Sequence, residues 1–453
     1  MGRNPPFDIE PMRKTLLVLF LVPVLLTGSP ALAQNPIVPP GLYMADPTAR
    51  VWEDGKLYIY GSVDESVDYY CSYNYHVLST EDLVKWTIHR NSFSSQGEED
   101  QVDYSDALLF APDCQVKGNK YYLYYCQPDP DHAEGVAVSK SPTGPFQKAT
   151  AIDVGEHNQI DPCLFIDDDG QAYYIWGQFT CKMARMKSDM RTLDQASITD
   201  NVVTEDEHYF HEGAHMVKRN GIYYLLYAHL GRAGMPTCIG YSTSTSPMGP
   251  FSYGGVIVDN DHCDPGNWNN HGSIMEFNGQ WYVFYHRSTH NSQMMRKACM
   301  EPIFFNEDGS IDEVEMTSQG AGPPLKAGSQ IPAERACLLH GNVRIQKCAP
   351  DNEELGEIRD MDKAAYKYVN FGRGVDSFYI RVRPGQSPGE ISVHADMPWG
   401  PRIAYFEVEG SGEDPAWNTL SAPAEEIVGV RALWLVFSGK EEDLFSVDWV
   451  KFK

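Results

Sequence analysis

Five stretches of this chain repeat one pattern of apolar and polar positions. They are "MADPTARVWEDGKLYIYGS", "FAPDCQVKGNKYYLYYCQ", "QIDPCLFIDDDGQAYYIWGQ", "HEGAHMVKRNGIYYLLYAH" and "NHGSIMEFNGQWYVFYHRS". Each opens on a polar residue beside small residues or proline. Each then alternates for a few positions, turns on a glycine and ends in an aromatic-rich run. Alternation places successive side chains on opposite faces of a strand, and glycine between two such runs marks a hairpin. The openings recur every 50 to 65 residues or so, a spacing that suits propeller blades. Between them, "HVLSTEDLVKWTIH", "GVAVSKSPTGPFQK" and "IGYSTSTSPMGPFSY" each supply a third strand and an outer one. Units of about four strands, five times over, predict an all-β domain across residues 35–317, a five-bladed β-propeller. No long helical periodicity competes. "IDDDG" falls where a hairpin turn is due and is read as a turn, and Trp52, Trp86 and Trp176 are read as packing between strands.

The pattern stops at "GAGPPLKAGSQ", which predicts a linker over residues 318–330. Beyond it, short alternating runs such as "SFYIRVRP", "EISVHAD", "RALWLVFSG" and "FSVDWVKFK" predict a β-sandwich (jelly-roll) over residues 331–453. At the other end, "MRKTLLVLFLVPVLLTGSPALAQ" has a basic start, an apolar run and a small-residue site at Ala31–Ala33. Residues 1–33 therefore read as a secretory leader, with Met12 as a candidate start. Pro23 breaks the apolar run, which is short for a membrane span. The expectation is an exported protein, periplasmic or extracellular, without a membrane anchor.

Charge removes two classes of partner. A net charge of -26 over 453 residues repels nucleic acid and anionic membranes. The 26 Tyr and 9 Trp suit strands and the flat apolar faces of sugar rings. Ten cysteines follow the leader. Export permits disulfides, and Cys337 and Cys348 are close enough in sequence for one bridge. Cys126 and Cys163, inside apolar runs, read equally well as buried thiols. No C-x-x-C spacing suggests structural zinc.

In a propeller the innermost strands all begin at one end of a central channel. The five openings therefore bring Asp46, Asp113, Asp161, Glu212 and His271 towards one pocket. Carboxylates without a phosphate loop, nucleophile elbow or dinucleotide fingerprint point to acid–base chemistry. Glycoside hydrolysis needs two carboxyl groups in different protonation states, and a third can hold the acid protonated. The loop "DNDHCDPGNWNNHG" leads to the pocket rim, where Trp268 is a candidate to stack on a sugar; its plain reading is a solvated loop.

The ordered set "ADP", "APD", "IDP", "EGAH" and "NHGSI" resembles glycoside hydrolase family 43 over about residues 35 to 317. That resemblance implies an inverting glycosidase in which Asp46 is the general base and Glu212 the general acid. Asp161 would orient Glu212 and raise its pKa, and Asp113 would be structural. It places His271 near the channel centre, where a bound calcium is often hydrated; a histidine that only hydrogen-bonds there is the other reading. Arg296 matches a family arginine that reaches the pocket, against the plainer reading of a surface arginine. No cofactor is implied for the chemistry. The C-terminal third is similar to a family-6 carbohydrate-binding module through "IPAERA", "YVNFGRGVDSFYIRV" and "FSVDWVKFK". This implies that Glu334 and Asp448 help hold a structural calcium, while Ser446 stands where the family often has a sugar-contacting Asn. The activity implied is removal of α-L-arabinofuranosyl groups from a plant polysaccharide such as arabinoxylan. The alternatives are a β-xylosidase on xylo-oligosaccharides, a non-catalytic glycan-binding propeller and a purely structural one.

Overall fold

The computed structural model describes Met1 and residues 33–232, 234–260, 269–290, 292–411, 415–440 and 444–453. The expected leader from residue 2 to residue 32, and Trp268, lie outside the described residues. Helix is confined to α1 (Glu205–His208) and short 3-10 turns, so the all-β expectation is met among the described residues.

Five antiparallel sheets follow in chain order. The first holds β1 (Met44–Val51), β2 (Leu57–Val63), β3 (Asn74–Thr80) and β4 (Thr87–Ser94). The second holds β5 (Asp113–Lys117), β6 (Lys120–Cys126), β7 (Glu134–Ser139) and β8 (Gln147–Ala151). The third has three strands, β9 (Cys163–Ile166), β10 (Ala172–Trp176) and β11 (Lys182–Met186). The fourth holds β12 (Phe210–Arg219), β13 (Ile222–His229), β14 (Cys238–Ser244) and β15 (Ser252–Asp259). The fifth has β16 (Ser273–Phe277), β17 (Gln280–Ser288) and β18 (Arg296–Ile303). The Asn220–Gly221 and Asn278–Gly279 pairs, all at positive φ, close the β12–β13 and β16–β17 hairpins, the backbone that a tight hairpin turn demands.

The first strands touch in a cycle: β1 meets β5, β5 meets β9, β9 meets β12, β12 meets β16, and β16 meets β1. Apolar side chains follow the same order. Tyr75, Phe93 and Leu123 pack between the first and second sheets, and Tyr124, Leu164 and Trp176 between the second and third. Phe165, Phe210 and Leu225 fill the next gap, and Leu226, Ile239 and Val283 the one after. Ile59 and Leu78 meet Phe284 and Met300 between the fifth sheet and the first. Each sheet thus buries both faces against its neighbours, which is why its strands are apolar on both sides.

The C-terminal part is two six-stranded sheets around one apolar core. Leu325–Lys326 pairs in parallel with Lys363–Asn370, so the stretch expected as a linker is tied into the sandwich. Cys337 and Cys348 do not form the expected bridge. Cys337 precedes a strand of one sheet, with its thiol on the Ala365 carbonyl at 3.5 Å, and Cys348 lies in the other sheet beside Asn352. Cys126 and Cys163 are buried free thiols.

Candidate active site

Two register shifts aim the key carboxylates. The β1–β2 pairing slips between Ala45 and Thr48, and the β12–β13 pairing slips between Glu212 and His215. A bulge redirects the side chains it carries. Asp46 (φ 52°) and Asp161 (φ 66°), each followed by proline, sit in the left-handed region that residues with a Cβ seldom adopt. Gly213 (φ +67°) is needed as glycine for a second reason: a Cβ there would come within 2.8 Å of the His271 ring.

These residues surround a cavity of ≈ 160 Å³ to which all five sheets contribute. Of the five repeat openings, Asp46, Asp161, Glu212 and His271 line it and Asp113 does not; Arg296, expected from the family resemblance, joins them. Asp46 is 5% exposed. Its Oδ2 accepts from Ser62 Oγ at 2.6 Å, and its Oδ1 accepts from Arg296 Nη1 at 3.1 Å. Its backbone N–H donates to His286 Nδ1 at 3.0 Å, so that ring donates through Nε2 to Asn269 Oδ1 at 2.9 Å. Burial pushes the Asp46 carboxyl up, but Arg296, then His271 and His286, outweigh it and hold the pKa at about 2. Burial itself drives His286 down to about 3, so it is a neutral imidazole.

Asp161 has the opposite environment. Burial first, then repulsion from Glu212 and Asp46, pushes its carboxyl well above the ordinary range. Among the described residues its hydrogen-bond donor is weak, the Cys126 thiol at 3.8 Å, and His271 Nδ1 stands 3.9 Å away. Glu212 instead accepts two amide hydrogen bonds, from Gln178 Nε2 at 2.7 Å and Asn269 Nδ2 at 3.2 Å.

Arg296 is no surface arginine. It is 1% exposed, its Nε and Nη2 donate to Asp64 at 2.9 Å each, and its guanidinium lies 5.0 Å from the Tyr70 ring centre. Asp113 is structural: it takes the Arg50 guanidinium at 2.7 Å and the Leu164 N–H at 2.7 Å, pinning the first three sheets together. Lys218 spans Asp167 and Asp168 of "IDDDG", which is the predicted turn. Asp64, Gln178, Asn269 and His286 were missed. Asp64 and Asn269 fall outside the five stretches, while Gln178 and His286 lie at the far ends of the third and fifth, away from the openings that mark the pocket.

Residues 33–311 match the family model for Glycosyl hydrolases family 43, and residues 333–453 match that for Carbohydrate binding module (family 6). The chain belongs to glycosyl hydrolase family 43. It is a glycosidase with an appended family-6 module. A "Xylosidase/arabinosidase" from Thermoclostridium stercorarium is 30% identical over 89% of this chain and 96% of its own. A Bacillus subtilis arabinoxylan arabinofuranohydrolase, solved in complex with cellotetraose, superposes with a TM-score of 0.53 at 25% identity, covering 93% of this chain and 98% of its own. A β-xylosidase/α-arabinofuranosidase from a compost metagenome, solved with xylotriose in a calcium-free form, gives 0.54 at 30% identity over 62% of this chain and 97% of its own.

Calcium takes six to eight oxygen ligands. Among the described residues of this family-43 enzyme, no three His, Cys, Asp or Glu side chains converge as a metal cage. His271 Nδ1 faces Asp46 Oδ1 at 3.6 Å and Asp161 Oδ2 at 3.9 Å. A second imidazole, His215, is fully buried close to His271 and to the Ile274 backbone. Glu334 and Asp448 are both buried, and Glu334 Oε2 has no hydrogen-bond partner among the described residues. Asp448 accepts from Asn352 at 2.8 Å and lies 3.4 Å from Arg381, while Glu334 is buried near Arg335, Glu353 and Lys297. Lys297 brings one positive charge from the catalytic domain to that acidic end of the module, at Glu353.

Proposed function

We propose that this enzyme removes α-L-arabinofuranosyl groups from arabinoxylan with inversion, and that its five sheets are the blades of a closed five-bladed propeller. The blade reading rests on the five cores in cyclic order. The activity rests chiefly on one observation: a cavity with room for a single sugar holds an ionised carboxylate, Asp46, together with a carboxyl pair, Asp161 and Glu212, that resists joint ionisation. Asp46, kept ionised by Arg296, takes a proton from the water that attacks the anomeric carbon. Glu212 gives the pair's proton to the leaving oxygen. Asp161 orients Glu212 and shares that proton. The reaction leaves Asp46 protonated and Glu212 ionised, and solvent resets both.

Arabinose is common to the relatives matched over most of this chain. Arabinoxylan arabinofuranohydrolases from Paenibacillus polymyxa and Bacillus subtilis each match 90% of this chain, module included. A Xylanibacter ruminicola β-xylosidase matches 61%. β-Xylosidase action is the second reading, because the same pocket would take a terminal xylose. The basic, apolar leader supports export. A calcium ion in the channel would be held by one imidazole, His215 or His271, with water completing its shell, and would add positive charge beneath the carboxylates.

Wild type and Glu212→Gln are compared on arabinoxylan, with released sugars identified, and on aryl α-L-arabinofuranoside and aryl β-D-xyloside. Release of arabinose by wild type, and a fall of roughly 10²–10⁴-fold on the polymer in the variant, supports the reading. Release of xylose moves the assignment to the second reading. Binding of glycan without turnover leaves a binding propeller.

A further inference from the structure

The module does more than attach to the catalytic domain. Glu353 lies on its strand Asn352–Gly356 and is fully buried. One carboxylate there meets two segments of the propeller. Oε1 accepts from the Gly41 N–H at 2.9 Å and from the Tyr43 hydroxyl at 3.0 Å. Oε2 pairs with the Lys297 ammonium at 2.8 Å, with both side chains at 0% exposure. Tyr43 stands three positions before Asp46, directly ahead of β1. Lys297 follows Arg296 on β18. Successive strand residues point to opposite faces. Arg296 therefore enters the pocket while Lys297 turns outward to the module.

The same carboxylate thus grips the two chain segments whose side chains meet at 3.1 Å as Arg296 Nη1 and Asp46 Oδ1. Lys297 is fixed further by the Pro39 carbonyl at 3.2 Å and by the Tyr43 ring, 4.8 Å away. The module also accepts a neighbouring loop: the Ile345 N–H donates to the Thr289 carbonyl at 2.7 Å, and that loop carries Gln293, the acceptor for Tyr70 at the pocket wall.

We propose that Glu353 is a positioning residue of the active site, setting the Asp46–Arg296 geometry from the sandwich module. Its effect on turnover rests on the hydrolase reading above; its mechanical part does not. A charge buried with its partner removed is strongly destabilising, whereas replacing both by apolar groups is often neutral. This separates gluing from positioning. Three variants are made in the full chain: Glu353→Gln, the double Lys297→Met with Glu353→Leu, and Glu315→Gln. The last breaks a more exposed contact between the domains, Lys367 to Glu315 at 3.2 Å, that touches neither gripped segment.

Turnover of arabinoxylan and of an aryl pentoside, Tm, and backbone hydrogen exchange are measured on each. A sub-ångström loss of alignment can cost one to two orders of magnitude, so Glu353→Gln should lower kcat by roughly tenfold or more with KM little changed. The double variant should recover most of the Tm and still show the low kcat, with faster exchange over residues 41–50 and 289–300 and none over β12 and β13. Glu315→Gln should leave kcat as it is. If kcat in the double variant returns with Tm, or exchange over residues 41–50 is unchanged, Glu353 is glue only and the proposal falls. A wild type that cleaves no pentoside would sink the hydrolase reading, and hydrogen exchange alone would then decide the tether.

Discussion

The propeller and the module bury charge for different ends. The propeller hides both signs, Asp46, Asp64, Asp113, Asp161 and Glu212 with Arg50 and Arg296, and gathers most of them at one end of its axis. Its apolar packing is split into five small, tyrosine-rich cores. The module has a single core of Ile, Val, Leu and Phe, and its buried charged side chains, Glu334, Glu353, Glu354, Asp362 and Asp448, are all acidic. Removing charge from water costs several kcal/mol per ion unless it is paired. The propeller pairs its own charges and so holds a reactive carboxylate ready. The module borrows part of its pairing from Lys297, which makes attachment to the propeller part of its electrostatics.

The largest effect should come from breaking the pairing that the propeller does for itself. Arg296→Met leaves Asp46 and Asp64 buried without their shared cation. Urea unfolding should show a loss of about 3–5 kcal/mol. Turnover should fall by roughly 10²-fold or more, because Asp46 is no longer held ionised and in place. Arg296→Lys should rescue only part of this, since an ammonium cannot make the forked contact to Asp64 and also reach Asp46. A near-normal kcat in Arg296→Met would show that Asp46 is held ionised and in place without the guanidinium.

A truncation in the module's core tests the other side. Phe378 is fully buried, stacked on Phe452 at 4.3 Å and edge-on to Phe406 at 5.3 Å. Phe378→Ala should cost about 3 kcal/mol by chemical unfolding. At 25 °C kcat should stay unchanged, because the rings Phe378 packs on, Phe406 and Phe452, are not partners of Glu353. A matching fall in kcat would mean that the module transmits any loosening to the pocket, beyond what one carboxylate carries.

Much of this contrast was legible in the sequence, for physical reasons. Five alternating stretches predicted five sheets because hairpins are local. Asp46, Asp161, Glu212 and His271 could be brought together because each stands at the opening of a repeat. Asp64 follows the second strand of one repeat only, and Asn269 and His286 lie in a loop and at a strand end, so no periodicity marks them. Asp64 and His286 act through contacts across more than 200 residues, with Arg296 and Asp46, and Asn269 through a contact with Glu212 in another sheet. The Lys297–Glu353 pair was hidden for a similar reason: Lys297 reaches the module from another domain, and only the fold shows it. The disulfide inferred from the short spacing of Cys337 and Cys348 ignored that neighbouring strands can belong to opposite sheets.

The smallest effect separates the two regions by pH. Burial lifts Glu134 to about 8, against the lowering pull of the Tyr174 hydroxyl, and lifts Glu301 to about 8 against its bonds from Thr317 and Tyr285. Both are in the propeller. On the module side burial lifts Glu334 to about 7. A carboxyl whose folded pKa is raised binds its proton more tightly than in the unfolded chain. Its stabilising contribution is whole below the unfolded value and is lost as pH rises towards the folded one. Asp46, held at about 2, has the reverse sign and loses its contribution only as pH falls below about 4. Stability should therefore peak on the acid side, then decline between about pH 5 and pH 8 by up to ~1.4 kcal/mol per pH unit for each raised group. Tm measured from pH 5 to pH 8 should fall in wild type. Glu134→Gln and Glu301→Gln should each flatten that fall across the whole window, and Glu334→Gln only up to about pH 7. If the propeller variants leave the slope unchanged, those carboxyls are hydrated in solution, and the propeller buries less charge than its cores imply.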